Sequence, residues 1–153
     1  MSEKRTELNN ALKSALKAKD QVALSTTRLI NAAIKDRDIA ARAKGDTDGI
    51  SDDEILSLLQ SMVKQRKDSS KVYREGERED LAEREEEEIK IIQNFLPAQL
   101  SDEEVKSLVQ SIIEEIGAKD IKDMGRIMGV LKGKYAGQVD MGKASGLVKS
   151  VLN

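Results

Sequence analysis

The chain has 153 residues, of which 35% are charged and 2% aromatic, and its formal net charge is -2. It contains no cysteine and no histidine, which excludes disulfides and thiol chemistry and removes the commonest general base and metal ligand. A mean hydropathy of -0.51, with no long apolar run and no N-terminal apolar segment, predicts a soluble chain without a membrane partner or secretory signal. We therefore expect no metal and no cofactor, and a cytoplasmic location by default.

The first part of the chain is predicted to be helical. Leucine, isoleucine, alanine, lysine and glutamate dominate it, and these residues favour helices. Ser51 and Glu54 form a capping-box pattern, which typically begins a helix. Apolar residues at three- and four-residue spacing predict four helices, over about 2–19, 20–44, 51–76 and 78–96. The first is expected to bury one apolar face, made of Leu8, Leu12, Ala15 and Leu16.

The charges of the third and fourth predicted helices have opposite signs. Lys64, Lys67, Lys71 and Arg74 recur at helical spacing, and an acidic run over 83–88 follows in the next helix. One interpretation is that the two faces neutralise each other within a bundle. The other is that the basic face is one of two positive surfaces that meet an anionic polymer.

The segment 89–100, IKIIQNFLPAQL, is predicted to join two helical units. It holds the only phenylalanine, Phe95, and the only proline, Pro97, among closely spaced apolar residues. A solvated tether would not carry those apolar residues, so we predict a packed elbow with Phe95 and Leu96 docked between the units. The predicted fold class is therefore all-α, with an N-terminal four-helix unit over 1–96 and a C-terminal three-helix unit over 97–153.

Three helices are predicted in the second unit, over about 101–116, 124–135 and 141–152. Ser101 and Glu104 repeat the capping-box pattern, Gly117 is a candidate C-cap, and Asp140 is a candidate N-cap. Residues 117–153 hold seven basic and three acidic residues, a net charge of +4. This block is the second of the two positive surfaces.

Glycine recurs at every fourth position in this unit, at Gly125, Gly129, Gly133 and Gly137, and the same interval is repeated at Gly142 and Gly146. Each glycine in a helix interior costs roughly 1 kcal/mol relative to alanine, so helix propensity does not explain them. Two interpretations are open. In the first, the glycines pack tightly against a neighbouring helix, or mark a helix end at Gly133 or Gly137. In the second, they let a nucleic-acid backbone come close.

The second interpretation gives a set of candidate nucleic-acid-binding residues. Lysine and arginine side chains, together with helix N-termini, would contact phosphates. The basic candidates are Lys122, Arg126, Lys132, Lys134 and Lys143, and the close-approach positions are Gly125, Gly129 and Gly133.

Three segments resemble a known family. They are KQRKDS at 64–69, the pattern LA…E…EI followed by FLP and QL within 81–100, and DMG…MG…LK at 123–132. Together they resemble the YqeY-like family of small bacterial and organellar proteins, over essentially the whole chain. The resemblance implies the fold of the tail of the B subunit of glutamine-dependent glutamyl- and aspartyl-tRNA amidotransferase, and that tail is thought to help hold the tRNA.

Members of this family are often described as carbon–nitrogen ligases with glutamine as amide donor. The residues of this chain argue against catalysis by the chain alone, because it has no cysteine nucleophile, no glycine- and serine-rich amidase stretch and no P-loop. Glu85 and Glu88 are better read as a solvated face than as an acid–base pair. We assign no catalytic residue.

Three functions remain open at this point. The preferred one is a non-catalytic module that binds tRNA or a tRNA-modifying or aminoacylating enzyme. The second is amide transfer, as an enzyme or an accessory subunit. The third is a protein-binding helical adaptor.

Overall fold

The computed structural model describes residues 2–152. Those residues form seven α-helices and one short 3-10 turn, without a strand, so the all-α prediction is confirmed. None of the helices formed by the described residues has the length and hydrophobicity that crossing a membrane requires.

The helices fall into two compact units, Met1–Leu96 and Pro97–Asn153. The first unit contains α1 (Glu3–Ala18), α2 (Gln21–Ala43), α3 (Asp52–Glu75) and α4 (Glu79–Gln93). The second contains α5 (Asp102–Ile116), a 3-10 turn (Ile121–Asp123), α6 (Met124–Lys134) and α7 (Met141–Leu152).

Helices begin at the predicted caps because the local hydrogen bonds form. The Ser51 and Ser101 hydroxyls accept the amides of Glu54 and Glu104 at 3.2 and 3.1 Å, and both glutamates reach back to complete capping boxes. These bonds satisfy amides that have no partner within the helix. α5 is followed by Gly117 as its C-cap, and the Gly117 φ of +68° is the left-handed conformation that glycine adopts without strain.

The apolar residues of the first unit form one core. Phe95 belongs to it, is 6% exposed, and has Leu96 packed against the same cluster. The Lys4 Nζ donates a hydrogen bond to the Phe95 carbonyl at 2.6 Å. The predicted burial of Phe95 is confirmed, within the core of the first unit and two residues beyond the end of α4. Docking of Phe95 and Leu96 between the two units stays a prediction. The buried residues are Leu8, Ile30, Ile34, Ile50, Ile55, Leu58, Leu59, Met62, Val63, Ile89, Ile92 and Phe95.

A network of charged hydrogen bonds around Asp38 holds the loop between α2 and α3 in place. Both terminal nitrogens of Arg5 donate to the Asp38 carboxylate at 2.8 Å, and the Ile50 amide donates to the same carboxylate at 2.9 Å. Gly49 has a φ of +85°, and a Cβ there would lie 2.6 Å from the Asp38 Oδ1. This turn therefore requires glycine.

The first interpretation, mutual neutralisation of the two faces, holds only in part. Of the four basic residues predicted to form the face of α3, Arg74 is the one that pairs with acids of α4 among the described residues. The Arg66 Nε lies 3.0 Å from a Glu88 oxygen, and Arg74 pairs with both Glu79 and Glu86. The turn between these helices holds Glu77 at a φ of +58°, which is strained for a residue with a Cβ.

One expectation for the first unit is wrong. Leu16 was expected on the apolar face of α1, but it is 50% exposed. Leu8 and Ala15 occupy the centre of that face and are buried. Leu16 lies at its edge, and α1 ends two residues later at Ala18, so no neighbouring turn covers it.

The three helices of the second unit all contact one another. Their core consists of Val105, Val109, Ile112, Ile127, Leu131, Val139, Ala144 and Val148. The Leu100 amide donates to the Gln138 carbonyl at 2.9 Å, which fixes the segment that leads into α5. This core determines which faces of α6 and α7 point away from it.

Candidate nucleic-acid interface

The outward face of α6 is made of glycine. Ile127 and Leu131 are fully buried, whereas Gly125, Gly129 and Gly133 are exposed. At 100° per residue the three glycines lie about 40° apart on one strip opposite the buried pair. A Cβ added at any of them would have no atom of the described residues within 4 Å, apart from the helix's own neighbouring backbone.

The packing interpretation of these three glycines is therefore wrong. No helix in the described part of the chain approaches the strip closely enough to require glycine. The nearby Gly137 has a different explanation, because its φ of +79° is a turn conformation that favours glycine. The strip leaves α6 backbone open to solvent over nearly its whole length.

Two cations border the strip. In helical projection Lys132 and Arg126 lie about 20° beyond its two edges, and both are exposed. The Arg126 Nη1 lies 3.5 Å from an Asp123 oxygen, and the Arg126 side chain is 63% exposed, so this contact is weak. Among residues 2–152, no carboxylate lies within ion-pair distance of Lys132.

α7 repeats the pattern of α6. Asp-Met-Gly-Arg at 123–126 becomes Asp-Met-Gly-Lys at 140–143, and a second glycine and a lysine follow at the same offsets, as Gly146 and Lys149. A Cβ at Gly146 would also meet nothing within 4 Å, and Ala144 and Val148 form the buried side. Both helices thus present a bare face edged by cations.

Lys149 was not among the predicted nucleic-acid-binding residues. Its signal was available, because aligning 123–133 with 140–150 places Lys149 at the position of Lys132 and Ser150 at that of Gly133. The interval between glycines does not by itself show that the cations repeat as well.

The remaining candidate cations lie elsewhere or are partly engaged. Lys134 is the last residue of α6 and lies about 140° around the helix from Gly129. Lys122 belongs to the 3-10 turn that precedes α6. The Lys143 Nζ is 4.0 Å from an exposed Asp102 oxygen. The structure therefore groups Arg126 and Lys132 with the three glycines and leaves Lys134 outside that face.

The N-terminus of α7 is already occupied by a carboxylate. Asp140 accepts hydrogen bonds from the amides of Gly142 and Lys143 at 2.9 and 3.3 Å. Asp123, at the start of α6, accepts the Lys119 amide at 2.9 Å, and backbone hydrogen bonds hold the pKa of its carboxyl below the usual range. An anion would meet negative charge at both helix starts, so phosphate contacts fit the side chains better than the helix N-termini.

The acid pair Glu85 and Glu88 lies in the first unit. Glu88 lies 3.0 Å from Arg66 and 3.3 Å from Arg84. Burial, and secondarily the charge of Glu88, raises the pKa of the Glu85 carboxyl. Residues 2–152 contain no group of three or more acidic side chains that could hold a metal ion.

Comparison with known proteins assigns the chain to a family. The family model described as Yqey-like protein matches residues 5–152. The chain belongs to this family. The match spans both helical units and includes α6 and α7 with their glycine faces.

Several fungal proteins are similar to this chain, and they carry the name "Altered inheritance of mitochondria protein 41, mitochondrial". The protein of Clavispora lusitaniae is 33% identical over 145 residues, which are 92% of this chain and 80% of the relative. That of Lachancea thermotolerans is 38% identical over 112 residues, 71% of this chain and 57% of the relative. That of Vanderwaltozyma polyspora is 32% identical over 123 residues, which are 76% of this chain and 64% of the relative.

These relatives overturn the expectation of a cytoplasmic location. They are named as mitochondrial proteins. The expectation rested only on missing targeting and membrane features, and such absences do not assign a compartment.

Proposed function

We propose that this chain is a non-catalytic module that binds folded RNA, with tRNA as the preferred ligand, through the outward faces of α6 and α7. The observation that carries the proposal is the open glycine strip of α6, bordered by Arg126 and Lys132 and repeated on α7. Glycine at three exposed positions costs helix stability. No packing contact in residues 2–152 offsets that cost.

The strip suits a ligand that must come close to the helix backbone. Without side chains between the flanking cations, a sugar–phosphate backbone can lie near the helix axis while Arg126 and Lys132 contact phosphates on either side. Such contacts position a ligand without reading its sequence. The binding should therefore depend strongly on salt.

The shortage of aromatic residues favours a folded RNA over a single strand. Proteins that bind single-stranded RNA stack bases on aromatic side chains, and Tyr135 is the only aromatic residue of the second unit. Recognition by shape and phosphate needs no aromatic platform. A structured RNA such as tRNA meets that requirement.

The resemblance to the amidotransferase tail supports tRNA in particular. We propose that the three-helix unit, residues 97–153, corresponds to that tail and that the four-helix unit is its companion. The ligand would be tRNA itself or a tRNA held by a modifying or aminoacylating enzyme. The chain would contribute to amide transfer only as an accessory, because its sequence has no cysteine nucleophile and no P-loop.

The proposal is tested by titrating the purified chain into labelled tRNA at low salt. Arg126→Glu combined with Lys132→Glu should weaken binding by at least about tenfold, because each change removes an attraction to phosphate and adds a repulsion. The paired change Lys106→Glu with Lys119→Glu is the matched control, since both lysines are exposed in the same unit and lie outside α6 and α7.

Two outcomes would refute the proposal. One is undetectable tRNA binding at low salt. The other is an equal loss of binding in the control and test variants. Glutamine-dependent amidation of a misacylated tRNA by the chain alone, with ATP, would instead establish the ligase alternative. RNA-independent, salt-tolerant capture of a protein would favour the adaptor alternative.

A further inference from the structure

A cavity in the first unit lies between α3 and α4. Its volume is about 570 Å³, which is enough for a small phosphorylated molecule or a short stretch of nucleic-acid backbone. Its charged lining consists of Lys67, Lys71, Arg74, Glu75, Glu86 and Lys90. Cations therefore outnumber carboxylates in the lining.

One carboxylate of the cavity is already neutralised. Glu86 forms an ion pair with Arg74, and the buried Ser70 hydroxyl lies between them, 3.5 Å from the Glu86 Oε1 and 3.2 Å from the Arg74 Nη1. This group fixes the two side chains against each other. Of the other cations in the lining, Lys90 also interacts electrostatically with Glu86, but it is not within ion-pair distance of that carboxylate.

Three lysines remain available. Among residues 2–152, no carboxylate lies within ion-pair distance of Lys67, Lys71 or Lys90. Lys67 and Lys71 are one helical turn apart and share a face of α3. Lys90 comes from α4 and lines the same cavity. The cavity thus receives unpaired positive charge from both of its walls.

The register of the two helices places Lys90 opposite Lys67. Glu86 contacts Ser70 and Arg74, and the two helices are consecutive and antiparallel. One turn further along α4 therefore corresponds to one turn back along α3, from Ser70 toward Lys67. The three ammonium groups can reach one compact anion in the cavity.

We propose that this cavity binds a phosphate ester through Lys67, Lys71 and Lys90. A compact group with more than one negative charge uses three clustered ammonium groups better than a single carboxylate does. An acidic peptide would spread its charges along a chain instead. The buried Ile89 and the lysine stems give an apolar wall for the ester's organic part. The phosphate ester comes either from a free nucleotide or from an RNA backbone.

The test is a titration of the isotope-labelled full chain, followed by NMR, with ADP as one probe and an RNA hairpin as the other. Saturable shifts of amides in α3 and α4 around the cavity are expected with at least one probe. Lys67→Gln with Lys71→Gln should weaken that binding by about tenfold or more. Lys13→Gln with Lys17→Gln is the matched control, since both residues are exposed lysines one turn apart in α1 and lie outside the cavity lining.

The two probes distinguish the sources. Shifts with ADP indicate a nucleotide site, and shifts with RNA alone indicate a backbone site. The proposal is overturned if neither probe shifts these amides, if the control loses as much affinity as the test variant, or if poly-glutamate competes as well as ADP and RNA do. Arg126→Glu with Lys132→Glu should leave ADP binding unchanged, which separates this site from the face of α6.

Discussion

Replacing the exposed glycines of α6 with alanine should stabilise the fold and weaken RNA binding at the same time. Gly129 lies in the middle of α6, so Gly129→Ala should raise the free energy of unfolding by ~1 kcal/mol. Gly125 is in the first turn and Gly133 is next to the last residue of the helix. Replacing either of them with alanine should contribute roughly half as much, because the ends of a helix fray.

The structure supports the sign of this effect. An added Cβ at any of the three positions would meet no atom within 4 Å in the described residues, so no steric cost opposes the gain in helix propensity. The triple variant should gain about 2 kcal/mol. If the second unit, residues 97–153, unfolds on its own, this gain corresponds to a rise in its melting temperature of about 8–16 °C, at about 4–8 °C per kcal/mol.

The same three methyl groups would occupy the strip that the proposed RNA approaches. We expect tRNA affinity to fall by about tenfold, which corresponds to about 1.4 kcal/mol. Urea unfolding and a tRNA titration on the same samples measure both effects. Ser61→Ala with Ser14→Ala is the control, because these exposed serines lie in helices of the first unit. A triple variant that is more stable and binds tRNA as tightly as the natural chain would refute the close-approach argument.

Four further predictions concern the first unit. Phe95→Ala should cost ~3–5 kcal/mol in unfolding experiments, because it empties a buried core position; a loss below about 1 kcal/mol would contradict that burial. Asp38→Ala should cost ~2 kcal/mol at neutral pH through its lost charged hydrogen bonds. Because Arg5 lowers the pKa of Asp38, this stabilisation is present above the unfolded-state pKa and should disappear as pH falls through the folded-state value; an equal cost at all pH values would contradict it. Glu77→Gly should stabilise the chain by ~1 kcal/mol by relieving a left-handed conformation, and a loss of stability in thermal unfolding would count against that strain. Glu85→Gln should raise the free energy of unfolding at neutral pH, because burial raises the pKa of Glu85. In urea titrations this gain should shrink as pH falls below that pKa. A gain that grows at low pH would contradict the raised pKa.

The helices and their starts were predictable because their determinants are local. Ser51 and Glu54, or Ser101 and Glu104, need only each other to form a capping box, so sequence spacing suffices. The burial of Phe95 followed from its apolar neighbours in the same way. These features depend on residues within one or two turns of the chain.

The functional face was predictable only in part. The spacing of the glycines was visible, but the choice between packing and an open surface depended on whether another helix covers Gly129, which spacing does not determine. Lys134 was grouped with the face by its charge, although the helical projection places it elsewhere. Lys149 was missed because the repeat between α6 and α7 joins residues that are seventeen positions apart, as Lys132 and Lys149 are.

Binding of tRNA to the outward faces of α6 and α7 can be mapped by NMR on the labelled chain. At low salt, tRNA should shift or broaden the amides of 125–133 and 142–150, and added salt should reverse these changes. Amides of α5 around Val109, whose side chain is buried in the core of the second unit, should change little. If the α6 and α7 amides stay unchanged while tRNA binds elsewhere, or does not bind, these two helices do not form the RNA-binding face.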